Sequence, residues 1–323
     1  MTKTLSTLAL LAAVALPGAA GAQTPPETPP PPPAPAPPPA PAPAKLTLAG
    51  TPSGAALVRR SFGVSGRLSP AAPGERVVVR VYRGRRKVLA RGVVVAADGS
   101  FRLRLKVRTS GAVHLRASHR QSPAVGTAVA KAVRLDVLPR SVYPGARRAA
   151  VRALQHQLAR RGYVVGRRGV FDGRTARAVL AFRKVSGLRR TSSADRVVMR
   201  RLARGGGWFK VRHPRHGKHI EADLSRQVVA LIRGRRVERI YPTSSGSPAT
   251  PTVRGHFRFY MSQPGLNSKG MLHSQYFIGG YAIHGYHSVP IYPASHGCLR
   301  VPMEDARTIF DWIDLGDRID VYA

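Results

Sequence analysis

Hydrophobic periodicity changes twice along this 323-residue chain, and that change restricts it to an architecture of successive modules. From Lys45 to Leu138, apolar and polar residues alternate in short runs such as Arg76-Val77-Val78-Val79-Arg80-Val81-Tyr82 and Phe101-Arg102-Leu103-Arg104-Leu105-Lys106-Val107. Pro73-Gly74, Arg83-Gly84 and Asp98-Gly99 fall between the runs as turn signals. Alternation sends successive side chains to opposite faces of a strand, so residues 45–138 are expected to form a small β-sandwich of immunoglobulin-like type. No catalytic constellation lies within it, which leaves a spacer or interaction module. Residues 140–205 switch to the helical period. Val151, Leu154 and Leu158 share one face, and Phe182 and Val185 share a face of a second helix that follows Asp172-Gly173-Arg174-Thr175. From about Trp208 strands return: Ile220 to Leu224, then Val228 to Ile232, then Arg233-Gly234-Arg235 as a turn into Val237 to Tyr241, an antiparallel arrangement. A short helix is expected over Thr308 to Ile313.

The N-terminal residues carry no such pattern. Residues 1–22 hold Lys3, an apolar stretch from Leu8 to Leu16, and Ala20-Gly21-Ala22 before Gln23, the organisation of a secretory signal with a small-residue cleavage site. The stretch is short and Ala-rich for a spanning helix, so a membrane partner enters only if the signal stays uncleaved. No cysteine stands near the cleavage site for lipid modification. Residues 23–44 are almost entirely Pro and Ala, a composition that favours extended polyproline II and reads as a spacer. At about 3.1 Å per residue it reaches roughly 70 Å.

The formal charge of +38 would ordinarily raise nucleic acid as a partner, but an exported chain does not meet it, and none is expected. Residues 23–207 hold 37 Lys and Arg against 6 Asp and Glu, a net of +31, whereas residues 208–323 hold 15 against 9, a net of +6. This surplus outside the last module suits retention on a polyanionic surface such as membrane head groups; a general arginine bias serving solubility is the bland alternative.

Cys298 is the only cysteine, which excludes an intramolecular disulfide even in an oxidising compartment. It lies in Ser295-His296-Gly297-Cys298, with His284 upstream. A thiol attacks carbonyls as its thiolate, and an imidazole is the usual group that takes its proton. A lone cysteine is most often a small buried hydrophobe, but glycine before it and histidines on both sides make a poor setting for an inert core position. A metal site from His284, His287, His296 and Cys298 matches no common zinc spacing and includes no acidic residue, so neither metal nor cofactor is expected. His273 and His287 read as loop or surface histidines, and Ser295 as a turn former. At pH 7 a thiol of pKa near 8.5 is about 3% ionised, so complete ionisation by His284 raises the thiolate only about 30-fold. Main-chain N–H groups of Gly297 and Cys298 are the expected oxyanion donors, and Gly297 avoids a side chain that would crowd the turn or the approaching carbonyl.

Ile283-His284-Gly285 and Pro293-Ala294-Ser295-His296-Gly297-Cys298-Leu299-Arg300 closely resemble the signature of the L,D-transpeptidase catalytic domain of bacterial cell-wall enzymes, over residues 208–323. The resemblance implies a mainly-β catalytic domain in which Cys298 is the acyl-accepting nucleophile and His284 the general base. It also implies that Ser295, His296 and Gly297 form the turn presenting the thiol and that a main-chain carbonyl orients His284; Arg300 and Tyr281 are the candidate substrate contacts. Two features depart from it: the interval from His284 to the turn is shorter than in many members, and Arg300 stands where many carry Asn. Thr243-Ser244-Ser245-Gly246 and Pro251-Thr252 match the loop before the family's central strands. Within residues 140–205, Leu154-Gln155, Gly162-Tyr163, Gly169-Val170-Phe171-Asp172, Thr175, Ala178-Val179, Ala181-Phe182 and Gly187-Leu188 resemble the small three-helix peptidoglycan-binding domain joined to many wall enzymes. Most of that motif records packing and turns. The implied activity is transfer of a tetrapeptide stem from its terminal D-residue to an amine on a neighbouring stem, with peptidoglycan stem peptides as partners. Water as acceptor, giving an L,D-carboxypeptidase, and a non-catalytic wall-binding protein are the alternatives.

Overall fold

The alternating segment folds as the pleat dictates. The computed structural model describes residues 39–323; the signal expected over residues 1–22 and most of the spacer expected over residues 23–44 lie outside the described residues. Nine strands follow: β1 (Lys45–Ala49), β2 (Ala55–Leu57), β3 (Ser61–Ser69), β4 (Arg76–Arg83), β5 (Arg86–Val94), β6 (Ser100–Lys106), β7 (Gly111–His119), β8 (Ala128–Val129) and β9 (Val133–Leu138). One sheet has the order β1-β3-β6, the other β2-β9-β7-β4-β5 with β8 added on β7. Val77, Val79 and Val81 of β4 face inward and pack with Phe62, Phe101 and Leu105 of the opposite sheet, while Arg102 and Arg104 of β6 take the solvent face. Each such buried side chain contributes about 1.5–3 kcal/mol, so the β-sandwich rests on apolar burial without a disulfide.

The helical segment forms α1 (Ala149–Ala159), α2 (Gly173–Val185) and α3 (Arg196–Ala203). Asp172 caps α2 by accepting from Thr175 N at 2.9 Å, and Asp195 caps α3 by accepting from Val197 N and Val198 N at 3.0 and 3.1 Å. Val151, Leu154, Leu158, Phe171 and Phe182 are buried together, as their spacing requires. Their core does not close on itself: it continues into Val228, Ala230, Ile232 and Ile240 of the C-terminal region.

That region contains β10 (Lys218–Asp223), β11 (Val228–Arg233), β12 (Arg236–Pro242), β13 (Gly255–Arg258), β14 (Met261–Leu266), β15 (Leu272–Ile278), β16 (Tyr281–Tyr286), β17 (Leu299–Pro302), α4 (Met303–Phe310) and β18 (Arg318–Tyr322). Five strands form the sheet β12-β11-β10-β18-β13 and four form β14-β15-β16-β17. Ile220, Leu231 and Ile319 of the first meet Phe277, Ile283, Leu299 and Val301 of the second in a common core. The last helix starts five residues earlier than expected from its sequence: Pro302 precedes it, Glu304 and Asp305 occupy its first turn where the helix dipole favours acids, and Trp312 and Ile313 follow it as buried residues outside the helix.

Contacts across these regions are specific. Asp136 of β9 accepts from His156 Nδ1 at 2.5 Å and Gln157 Nε2 at 2.8 Å on α1, and Ser53 Oγ donates to Ala203 O at 2.8 Å. On the other side, Arg174 and Arg177 of α2 pair with Asp305 and Glu304 of α4, the Arg177–Glu304 contact being 2.8 Å. Residues 40–323 accordingly pack as one unit. Among the described residues, no helix is long and apolar enough to cross a membrane.

Candidate active site

The site is built on a parallel strand pair. β16 and β17 align Ile283 with Leu299 and His284 with Arg300, which places Cys298 level with Ala282. Side chains alternate along each strand, so Ala282, His284 and Tyr286 share a face with Cys298 and Arg300, while Ile283, Leu299 and Val301 turn into the core. The Ala282 N–H reaches Cys298 Sγ at 3.4 Å, and Sγ lies 3.7 Å from the Gly280 carbonyl. His284 is buried, and its Nδ1 sits 2.9 Å from the Gly285 carbonyl oxygen. A carbonyl only accepts, so Nδ1 carries the hydrogen and Nε2 keeps the lone pair.

Electrostatics hold the pair neutral at rest. Burial lowers the His284 pKa; the Gly285 bond opposes this, and Arg300 adds to it. Burial raises the Cys298 pKa against the Ala282 N–H and the positive charges of Arg300 and Lys269. Both shifts run against a resting thiolate–imidazolium pair.

Ser295 and Gly297 act within the turn. Ser295 Oγ donates to Cys298 O at 2.6 Å and accepts from Gly297 N at 3.1 Å. Of the two oxyanion donors anticipated, the Gly297 N–H is thus already engaged. Gly297 has φ +111°, and a Cβ there would lie 1.9 Å from the Tyr281 ring, so the close neighbour that demands glycine is Tyr281. Tyr281 packs over the turn, and His296 is exposed beside it. His287 is also exposed, whereas His273 is half-buried with its ring 5.3 Å from Phe310. Arg300 lays its guanidinium over the Tyr286 ring at 4.2 Å, a cation–π contact that orients its charge.

The loop singled out in the sequence as Thr243-Ser244-Ser245-Gly246 and Pro251-Thr252 straps this turn down. Ser244 exchanges main-chain bonds with Arg300 at 3.1 and 3.0 Å, Thr243 Oγ1 donates to Arg300 O at 2.7 Å, and the Ser245 carbonyl accepts from Ala294 N and Ser295 N at 2.8 and 2.9 Å. Thr252 Oγ1 donates to Gly297 O at 2.8 Å and accepts from Gly246 N at 2.8 Å. The strap is anchored from α2, where Lys184 Nζ donates to the carbonyls of Gln227 and Thr243 at 3.0 and 2.8 Å.

Residues 217–321 match the sequence profile of the L,D-transpeptidase catalytic domain, and residues 147–202 that of a peptidoglycan-binding domain. A solved L,D-transpeptidase from Xylanimonas cellulosilytica is 34% identical, with 57% of this chain and 98% of that one covered and a TM-score of 0.54. This chain belongs to the L,D-transpeptidase family. An L,D-transpeptidase from Stackebrandtia nassauensis is 18% identical, with 57% and 96% covered and a TM-score of 0.35. The C442S mutant of the Enterococcus faecium L,D-transpeptidase is 22% identical, with 33% and 50% covered and a TM-score of 0.30. No curated protein matches the chain. In this chain the N-terminal β-sheets, the three-helix peptidoglycan-binding domain and the β-rich catalytic domain follow in the order read from the sequence.

Proposed function

We propose that the protein is an exported peptidoglycan L,D-transpeptidase with Cys298 as nucleophile and His284 as its base. The observation that carries this reading is the His284 Nδ1 bond to the Gly285 carbonyl, because it leaves Nε2 as the proton acceptor on the face that bears the thiol. Nε2 takes the Sγ proton as Sγ bonds to the carbonyl carbon before the terminal D-residue of a tetrapeptide stem. The C–N bond then breaks, and the His284 proton leaves with the D-alanine amine. The side-chain amine of a neighbouring stem attacks the thioester, gives a proton to His284 and releases the thiol, which recovers its own. The Cys298 N–H serves the developing oxyanion, the Ala282 N–H and Arg300 stabilise the forming thiolate, and Tyr281 with Arg300 borders the donor peptide.

The three-helix domain holds the enzyme on peptidoglycan, and anionic wall polymers add to that retention. A cleft of about 440 Å³ between the β-sandwich and α3 supports the second part, since Arg59, Arg60, Arg140, Arg196 and Arg200 line it. Incubation of the full-length protein with a tetrapeptide donor, with and without an amine acceptor, tests the reaction. The expected result is an acyl adduct on Cys298 that passes to the amine as cross-linked product. Release of tripeptide alone, unchanged by the amine, makes the enzyme an L,D-carboxypeptidase, and no adduct with donor or carbapenem leaves a wall-binding protein.

A further inference from the structure

The five-stranded sheet of the catalytic domain and the turn before it gather three histidines around a buried aspartate, away from Cys298. Asp320 of β18 is 1% exposed, and His256 of β13 stands directly across from it in the antiparallel register. His256 Nδ1 lies 2.6 Å from Asp320 Oδ1 and His216 Nδ1 lies 3.0 Å from Oδ2. The His213 ring stacks on that of His216 with centroids 5.0 Å apart and meets the His256 ring edge-on at 5.0 Å. One ligand atom from each of His213, His216, His256 and Asp320 falls within 4.8 Å of the other three.

We infer that His213, His216, His256 and Asp320 bind a divalent transition-metal ion of the zinc class. Three imidazoles and one carboxylate form a closed four-donor set; nitrogen donors disfavour calcium and magnesium, and four protein ligands leave no position for substrate, so the site is structural. A tetrahedral ion with bonds of 2.0–2.1 Å needs ligand atoms about 3.3 Å apart. His256, whose side chain is 59% exposed, and the half-buried His216 have room to turn their rings toward that spacing.

Two surrounding features favour a cation. Glu221 of β10 is aligned with Asp320 in the parallel β10–β18 register, and both are buried, so two carboxylates lie side by side within one sheet. Glu221 is also committed elsewhere: it accepts from Arg212 N at 2.8 Å, His213 N at 2.7 Å and Tyr322 OH at 2.7 Å, which pins the backbone that presents His213. This is the supporting layer that metal ligands need to hold their orientation. Bound metal would tie the turn before β10 to β13 and β18, segments far apart in the chain.

Full-length protein dialysed against a chelator and titrated with zinc chloride in competition with a chromogenic chelator tests the inference, with cobalt(II) absorption reporting tetrahedral geometry. The expected result is one tight equivalent in the wild type and in Cys298→Ala, weakened more than about 100-fold in His256→Gln, since losing even a supporting residue costs 10–100-fold. Thermal unfolding should shift upward with zinc in the first two proteins and not in the third. Because His256 is largely exposed and Gln keeps a donor toward Asp320, metal-free His256→Gln should melt with metal-free wild type. No tight equivalent in the wild type, one lost in Cys298→Ala, or one unchanged in His256→Gln overturns the inference.

Discussion

The two sheets of the catalytic domain put histidine to opposite uses. On β14-β15-β16-β17, His284 has a main-chain carbonyl and Arg300 for company; burial and that positive charge lower its pKa and keep Nε2 unprotonated. On β12-β11-β10-β18-β13, burial by itself would lower His219, but the Glu221 carboxylate and the Gly217 carbonyl outweigh it and its pKa is raised. The ring is the same and the burial similar. What differs is the presence of acids, so the lesson is that withholding carboxylates keeps a buried imidazole neutral and supplying them favours its charged form.

The largest effect that sharpens this contrast is expected at the thiol. Cys298→Ala should abolish adduct formation with a carbapenem or tetrapeptide, read by intact-protein mass spectrometry, and leave thermal unfolding nearly unchanged because only a half-buried sulfur is lost. Persistent adduct on that variant would remove the acid-free sheet from the chemistry. Next comes the base: His284→Ala should slow acylation by about 10² to 10⁴, whereas His287→Ala, at an exposed position, should leave it intact. Stopped-flow acylation rates decide it, and equal losses would mean that the neutral histidine has been misassigned. With His284 required as the free base, the acid limb of the acylation profile should also lie below the ordinary histidine value of about 6.5.

On the acid-bearing sheet, Glu221→Gln should destabilise the protein by about 3–5 kcal/mol, the usual result of stripping one partner from a buried ionic network. Urea unfolding measures it; a loss below about 1 kcal/mol would mean that the carboxylate does not organise that sheet.

Lys184 extends the acid-free rule beyond the site. Burial lowers its pKa from 10.5 to about 7, with Arg190 adding to the shift, and its two carbonyl partners suit a neutral amine with two N–H donors. A base depressed in the folded state is destabilising at and below its folded pKa, and stability returns as pH rises toward the unfolded value. The stability difference between wild type and Lys184→Met should therefore grow in favour of wild type from pH 7 to 10, by at most about 1.4 kcal/mol per pH unit. A flat difference in denaturant midpoints would contradict this. The smallest effect belongs to Arg300→Met: without its charge the pKa values of His284 and Cys298 both rise, so the acid limb of acylation should move to higher pH. An unmoved limb would leave burial alone as the cause.

Much of this was legible in the chain itself. Period-2 alternation in Arg76–Tyr82 and the spacing of Val151, Leu154 and Leu158 depend on neighbours a few residues away, and the structure buries those positions. The turn around Cys298 was legible for the same reason, since Ser295, Gly297 and Cys298 bond within three residues. Tertiary structure alone decided the rest. The start of α4 at Met303 accompanies pairing of Glu304 and Asp305 with α2, over 100 residues upstream, which no local window contains. Only His213 and His216 are close in sequence; they meet His256 and Asp320 because β13 pairs with β18 and the turn before β10 folds over them. Local propensity and periodicity are read along the chain. Which charged groups are left with partners, and which are buried without them, is settled only when strands distant in sequence are brought into register.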